Sequence, residues 1–140
     1  MKTYRMLLVL ALALALGLTA CGGAGGGSGA ASTSLKVDMV DFMFEPQDLT
    51  VPAGAEITIE LTNKGAVDHE FVIMKLGTEA TPPFDDDDEP NIYWEAEVEA
   101  GDSGTFTFTA PAEPGKYQVV CGIPGHLEAG MVGSLTVVSP

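Results

Sequence analysis

The sequence has few of the side chains that bind nucleic acid. Six lysines and arginines stand against twenty aspartates and glutamates, and the formal net charge is −14 at pH 7. Proteins bind the phosphate backbone mainly through lysine and arginine. The charge balance therefore excludes nucleic acid as a partner and predicts a strongly acidic surface.

Cysteine and histidine are also scarce, with two of each in the chain. Two cysteines are too few for the disulfide framework that holds many small exported domains together. Because so few cysteines and histidines are present, each of the four is a candidate for a functional role such as metal binding or covalent modification.

Long apolar runs are lacking as well. The longest, residues 6–16, is too short to span a bilayer comfortably, and it follows Lys2 and Arg5 in the manner of an export signal. Shortly after it, residues 18–21 read LTAC, which resembles a bacterial lipobox, in which the cysteine is lipidated. We predict a lipoprotein-type signal peptide over residues 1–20 and a lipid on Cys21. The alternative is a cleaved secretory signal that leaves a free thiol.

A glycine-rich segment follows the predicted lipidation site. Residues 22–33 contain no side chain large enough for a core, which is typical of a flexible linker. Residues 21–33 are therefore predicted to be a lipidated membrane tether and residues 34–140 to be the folded domain. We expect an exported monomer anchored to the outer face of the cytoplasmic membrane or to a periplasmic membrane surface.

The predicted domain shows alternating apolar patterns and no convincing helical period. Ile57, Ile59 and Leu61 share one face of a strand, as expected when a strand packs against a core on one side. An apolar phase switch within residues 35–44 predicts a kink or bulge near Met39. After this first run, strands are predicted at residues 48–51, 56–62, 70–74, 93–98, 104–110, 116–121 and 134–138.

These short strands, separated by turns rich in glycine and proline, define the expected fold class. Seven to eight strands at such spacing predict an all-β domain, a Greek-key two-sheet sandwich or barrel. The acidic run at residues 85–89 is predicted to be a loop because adjacent like charges repel one another in a sheet. That run either keeps the protein soluble or docks a partner.

Three soft, electron-rich side chains are closely spaced near the end of the chain. Cys121, His126 and Met131 follow the pattern Cys-x4-His-x4-Met, so one loop could bring all three to a single ion. The other histidine, His69, lies at the start of an apolar strand. Two imidazoles, one thiolate and a weak thioether are the donor set of blue copper sites.

The sequences FEPQDLTVPAGAEITIELTNKGAVDHEFVI and PGKYQVVCGIPGHLEAGMVGSLTV carry a family resemblance. The first resembles the central stretch of the cupredoxins, the type 1 blue copper proteins that include plastocyanin and azurin, and the second resembles their ligand loop and last strand. The ligand spacing is more similar to auracyanin than to plastocyanin. The resemblance covers residues 35–138 and implies one copper ion held by His69, Cys121, His126 and Met131.

The resemblance implies an electron carrier that cycles between Cu(I) and Cu(II) and is not an enzyme. Redox proteins are the expected partners, either a basic c-type cytochrome or a membrane oxidoreductase. A copper chaperone or storage protein of the same fold is the alternative, although the chain lacks the methionine-rich or histidine-rich tracts that would favour it. A metal-free adhesion sandwich is a third possibility.

Each ligand also has an ordinary structural interpretation. Cys121 and Met131 could be core residues, His69 could end a strand and His126 could lie in a turn. Zinc accepts cysteine and histidine but rarely methionine. Only the joint occurrence of the four residues favours copper.

One position departs from the family pattern. Plastocyanin and azurin commonly carry asparagine after the first histidine, whereas this chain has Glu70. The departure leaves open how the Cys121 sulfur is hydrogen-bonded. We also expect an apolar rim around His126, formed by Ile123, Pro124 and Leu127 with Ala66 and Val67.

Overall fold

The computed structural model describes residues 30–140 of the chain. The predicted signal peptide and Cys21 lie outside the described residues, and so does most of the tether. No helix among residues 30–140 has the length and apolar character needed to cross a bilayer. The described part contains one short 3-10 helix, Glu89–Asn91, and nine strands: β1 Ser34–Val40, β2 Met43–Glu45, β3 Asp48–Pro52, β4 Glu56–Asn63, β5 His69–Met74, β6 Ile92–Val98, β7 Ser103–Thr109, β8 Gly115–Val120 and β9 Val132–Val138.

The strands form two sheets that pack face to face. The four-stranded sheet has the order β2-β1-β4-β7, and the five-stranded sheet has the order β3-β9-β8-β5-β6. The β1/β4 and β3/β9 pairs are parallel, and the other pairs are antiparallel. The predicted all-β two-sheet class is confirmed, with nine strands where seven to eight were expected.

The core lies between the inner faces of the two sheets. In β4 the side chains alternate between buried and more exposed positions, and Ile57, Ile59 and Leu61 are fully buried. This alternation is the period-two pattern expected of a strand with one face in the core. The strands predicted from residue 48 onward agree with the observed ones to within two residues at each end.

The phase switch in the first apolar run marks a turn rather than a bulge. The predicted kink was placed near Met39, but β1 continues to Val40 and pairs with β2 in a hairpin in which Val40 lies opposite Met43. Asp41 and Phe42 are the two residues of the turn, and Phe42 has a φ of 68°. The turn separates β1 from β2, which explains the additional strand.

The acidic run is a loop, as predicted. Residues 85–88 form a turn that leads into the 3-10 helix at Glu89. Backbone N–H groups of the run donate to its own carboxylates: Asp87 to Oδ1 of Asp85 at 3.0 Å, and Asp85 to Oδ2 of Asp88 at 3.2 Å. The 3-10 helix connects the loop to β6, which is paired with β5.

Candidate metal centre

His69 and Cys121 lie at the same end of two paired strands. His69 is the first residue of β5, and Cys121 follows the last residue of β8. The two strands are antiparallel, with Val72 opposite Val120, so the start of β5 meets the end of β8. Strand pairing therefore brings together two side chains that are 52 residues apart in the sequence.

The loop between β8 and β9 folds back on itself through its own backbone. The N–H of His126 donates to the carbonyl of Ile123 at 3.0 Å, and the N–H of Met131 donates to the carbonyl of His126 at 3.0 Å. The N–H of Cys121 donates to the carbonyl of Met131 at 3.2 Å, which closes the loop. Gly125 has a positive φ of 88°, a conformation that suits glycine.

Three donor atoms converge inside this frame. Nδ1 of His69 lies 3.2 Å from Nδ1 of His126, and Sγ of Cys121 lies 3.9 Å and 3.3 Å from these two nitrogens. The three residues are buried and form a group that could hold one metal ion. A thiolate with two imidazoles fits copper, and a thioether nearby fits copper better than zinc.

Met131 is fully buried in the same part of the core. Its backbone is hydrogen-bonded to both Cys121 and His126, which places the residue beside the three donors. Burial alone would also suit an ordinary core methionine. The convergence of the cysteine and the two histidines is what distinguishes this loop from simple core packing.

The Cys121 sulfur accepts a hydrogen bond from the backbone of Glu70. The N–H of Glu70 lies 3.4 Å from Sγ, so the residue that replaces the usual asparagine still reaches the sulfur. Burial raises the pKa of the Cys121 thiol, and the backbone N–H groups of Glu70 and Ile123 partly oppose that rise. Deprotonation of this thiol is therefore favoured mainly when a cation is bound beside it.

Burial also determines the protonation of His69. Removal from water and the nearby His126 lower the pKa of His69, and the Asp41 carboxylate partly opposes this effect. A neutral imidazole leaves one ring nitrogen free to bind a metal. Because Nδ1 of His69 faces Cys121, that nitrogen is the available donor.

Three neighbours of the site were missed by sequence reasoning. Buried Asn63 donates from its side-chain amide to the carbonyls of Val67 and Val98, both at 2.9 Å, which orders the loop before His69. Asp41 and Phe42, from the β1–β2 turn, reach His69 and His126 respectively. The phase switch marked this turn, but no local signal showed what it would contact.

The predicted apolar rim is wrong in one residue. Leu127 is buried and packs with Val72, Val120 and neighbouring core residues, so it does not contribute to the surface. Val67, Ala66 and Pro124 are exposed as predicted, and Ile123 is partly buried against the core. Phe42 and Met43 add two exposed apolar side chains that were not predicted.

An acidic groove lies beside the metal centre. Glu70 is half-buried there, and burial together with Glu95, Glu97 and Glu89 raises its pKa. The acidic loop is thus close to Glu70, which follows the proposed ligand His69. The groove is lined by Glu70, Phe84, Asp85, Asp86, Glu89, Ile92, Glu95, Gly122 and Pro124.

Comparisons with known proteins agree with the fold. A family model described as a cupredoxin-like domain matches residues 6–137. The crystal structure of dithionite-reduced auracyanin from the photosynthetic bacterium Roseiflexus castenholzii is 33% identical, covers 77% of this chain and 98% of its own, and superposes with a TM-score of 0.65.

Two curated relatives are similar over most of this chain. Auracyanin-B of Chloroflexus aurantiacus is 33% identical over 67% of the chain, and the copper-resistant cuproprotein CopI of Rubrivivax gelatinosus is 34% identical over 74%. The matches span 46% of auracyanin-B and 66% of CopI. The chain thus corresponds to only a part of each relative.

Proposed function

This chain belongs to the cupredoxin family, and we propose that it is a membrane-tethered, extracytoplasmic electron carrier with one copper ion. Its ligands would be His69, Cys121, His126 and Met131. The observation behind this proposal is the convergence of two imidazole nitrogens and one sulfur in a buried pocket. Bound copper would supply one-electron exchange between Cu(I) and Cu(II).

The protein part of this function is to hold the donors in one arrangement. His69 and Cys121 are fixed by paired strands, and His126 and Met131 by the hydrogen-bonded loop. A soft thiolate and thioether stabilise Cu(I), whereas imidazole suits both oxidation states. A donor set that serves both states within a rigid frame keeps the rearrangement on electron transfer small.

The chain is an electron carrier rather than an enzyme. Both histidines of the sequence are used in the proposed site, which leaves none for a second, catalytic copper. His69, Cys121 and Met131 are fully buried and His126 is 7% exposed, so a substrate has little access to the donors. Electrons, unlike substrates, can pass through the covering side chains.

Membrane attachment is proposed from the leader sequence. Residues 1–21 have the layout of a lipoprotein signal and its lipidated cysteine, and a glycine-rich tether follows them. We expect Cys21→Ser to move the protein from the membrane fraction to the soluble periplasmic or culture fraction, and Cys121→Ser to leave it with the membrane. Retention of the Cys21→Ser protein on the membrane would contradict the lipid anchor.

A basic redox protein is the proposed partner, either a c-type cytochrome or a membrane oxidoreductase. The support is the acidic groove, which lies next to Glu70 and therefore close to the metal centre. Complementary charge speeds the encounter of two proteins without requiring tight binding. Such an encounter suits a carrier that must bind and release its partners quickly.

The copper site is tested by the colour of the loaded protein. The purified full-length chain should show an intense visible charge-transfer band from sulfur to copper, and Cys121→Ser should remove it. Cys21→Ser is the matched control, because it alters the only other cysteine and should leave the band unchanged. A Cys121→Ser protein with full colour would refute the assignment.

Copper handling is a second candidate function, favoured by the similarity to the copper-resistant cuproprotein CopI. A handling protein gives up its ion, whereas a carrier keeps it through many redox cycles. Repeated chemical reduction and oxidation with a chelator present separates the two functions. Retention of the copper supports the carrier, and transfer of the ion to the chelator supports handling.

A further inference from the structure

The turn between β1 and β2 contacts both histidines of the metal centre. It consists of Asp41 and Phe42, and it is closed by the pairing of Val40 with Met43. Neither residue belongs to the two segments that contain the proposed ligands. The turn is therefore a third element at the site, next to the start of β5 and the β8–β9 loop.

Asp41 lies against the side of His69 that faces away from the donors. Its Oδ1 is 3.4 Å from Nε2 of His69 and accepts a hydrogen bond from the N–H of Ala66 at 3.0 Å. His69 is fully buried, and among the described residues its Nε2 has no hydrogen-bond partner with good geometry. Oδ1 is thus an acceptor within reach of a buried nitrogen that otherwise has none.

The tautomer of His69 makes this contact important. If Nδ1 gives its lone pair to the metal, Nε2 carries the proton and needs an acceptor. A carboxylate in that position fixes the ring orientation and increases the basicity of the donor nitrogen. A small shift of Oδ1 toward Nε2 would complete a hydrogen bond.

Gly65 keeps this contact open. A Cβ at residue 65 would collide with Oδ1 of Asp41 and would lie 2.6 Å from Nε2 of His69. The absence of a side chain allows the carboxylate and the imidazole to approach each other.

Phe42 contacts the second histidine and has an unfavourable backbone conformation. Its ring lies edge-on to His126, with centroids 5.3 Å apart and planes at 88°. Its φ of 68° is in the left-handed region, where a bulky residue is a rare outlier and glycine is preferred. Phe42 is also 46% exposed, so burial in the core does not explain the strain. Strained residues of this kind cluster at functional sites.

We propose that the Asp41–Phe42 turn positions both imidazoles for copper: Oδ1 of Asp41 accepts a hydrogen bond from the Nε2–H of His69, and Phe42 shields His126 from water. This inference rests on the proposed copper site. The residues act through the ligands, so they are positioning residues. Outer partners of metal ligands typically change metal affinity by about 10- to 100-fold when they are lost.

Asp41 is tested by three variants of the full-length chain. We expect Asp41→Ala to lower copper affinity by about 10-fold or more and to shift the charge-transfer band. Asp41→Asn should restore most of the affinity because it returns an acceptor oxygen. Asp68→Ala is the matched control: Asp68 also accepts one backbone N–H, from Ala100 at 2.9 Å, and adds negative charge near His69, yet it does not contact Nε2. The copper affinity and the charge-transfer band of the Asp68→Ala protein should match those of the parent.

Phe42 is tested by Phe42→Gly, which relieves the backbone strain. The copper-free variant should unfold at the same or a higher temperature than the parent. The loaded variant should lose copper to a chelator faster and have a lower reduction potential, because water near the site favours Cu(II). Met43→Ala removes an exposed side chain at the next position. It should leave the rate of copper loss and the reduction potential unchanged.

Different results would contradict the copper site and the roles of the turn residues. If the parent chain shows no charge-transfer band, the proposed function is wrong. If the parent is blue but Asp41→Ala changes affinity and spectrum no more than Asp68→Ala does, the role of Asp41 is wrong. A Phe42→Gly protein with parental copper loss and potential would refute the shielding role of the phenylalanine.

Discussion

Glu70 serves the metal centre through its backbone rather than its side chain. Its N–H reaches the Cys121 sulfur, whereas its carboxylate packs over Gly122, where an added Cβ would collide with it. The side chain makes no hydrogen bond to the β8–β9 loop that would replace the one expected of an asparagine. The link between the two ligand segments is therefore made by the sulfur itself and by the pairing of β5 with β8.

Met131 is expected to influence the reduction potential. Met131→Gln should leave copper bound and lower the potential, because a harder oxygen donor favours Cu(II) over Cu(I). Redox titration of the loaded protein measures the shift. Met43→Gln makes the same change at a methionine that is 45% exposed, and it should leave the potential unchanged. A Met131→Gln potential equal to that of the parent would mean that this methionine is only a core residue.

Gly65 is expected to be intolerant of any side chain. Gly65→Ala should reduce copper affinity by about 10-fold, since the added methyl group would separate Asp41 from His69. Gly115→Ala is the control, because its methyl group would meet the flexible end of Leu76, which can move. Copper titration followed by visible absorption compares the two. Equal affinities of Gly65→Ala and the parent would show that this close approach does not matter.

At the scale of elements, aromatic side chains close one side of the sandwich. β6 and β7 are edge strands of different sheets. Trp94 of β6 stacks on Phe108 of β7, with ring centroids 4.8 Å apart and planes at 24°, and it also packs near Phe106 and Phe71. This aromatic seam joins the two sheets at edge strands that are not paired with each other by backbone hydrogen bonds.

Removal of the tryptophan should destabilise the domain. Trp94→Ala is expected to reduce the free energy of unfolding of the copper-free protein by about 3 kcal/mol, the lower end of the range for buried aromatics because Trp94 is only partly buried. Urea unfolding should be followed by circular dichroism, because Trp94 is the only tryptophan and the variant therefore has no tryptophan fluorescence to follow. Thr107→Ala, at an exposed position of β7, should have little effect. Similar losses in both variants would show that the seam is not a main source of stability.

At the scale of the whole molecule, several of the acidic side chains lie close together beside the metal centre. The acidic groove combines the loop at residues 85–88 with glutamates of β5 and β6, such as Glu70 and Glu95. Uniform acidity would only aid solubility. A local concentration of charge next to the proposed site can also orient a basic partner during its approach.

Charge steering should appear in the salt dependence of electron transfer. With a basic c-type cytochrome, association at low salt should exceed the unassisted range of about 10⁵–10⁶ M⁻¹s⁻¹. The rate should fall as salt rises, because screening limits the interaction to roughly 10 Å at 0.1 M. Stopped-flow kinetics should show a weaker dependence when Asp85 and Asp86, which line the groove, are both changed to Asn.

The control for this experiment removes two acids at the other end of the domain. Glu56 begins β4, which ends beside the site, and Glu113 precedes β8, whose other end leads to Cys121. Changing both to Gln removes the same charge from the same total of twenty acids. If the two double variants have the same salt dependence, the acidic loop does not steer the partner.

The sequence by itself determined the strands and the chemistry of the loop. Period-two alternation is a local property, so most strands were placed to within two residues. The spacing of Cys121, His126 and Met131 is also local, and the loop that joins them is held by short-range backbone hydrogen bonds. The joint occurrence of these three residues with a second histidine, together with the family resemblance, was enough to predict copper.

Tertiary structure alone decided which distant residues meet at the site. Alternation shows that a strand has an inner face, but it does not show which strands pair, so the contact of His69 with Cys121 depended on the β5/β8 pairing. The same is true of Asp41 and Phe42, which reach the histidines across the sandwich. Leu127 was expected at the surface and is buried, because the path of the loop, and not its composition, determines which side chain points inward.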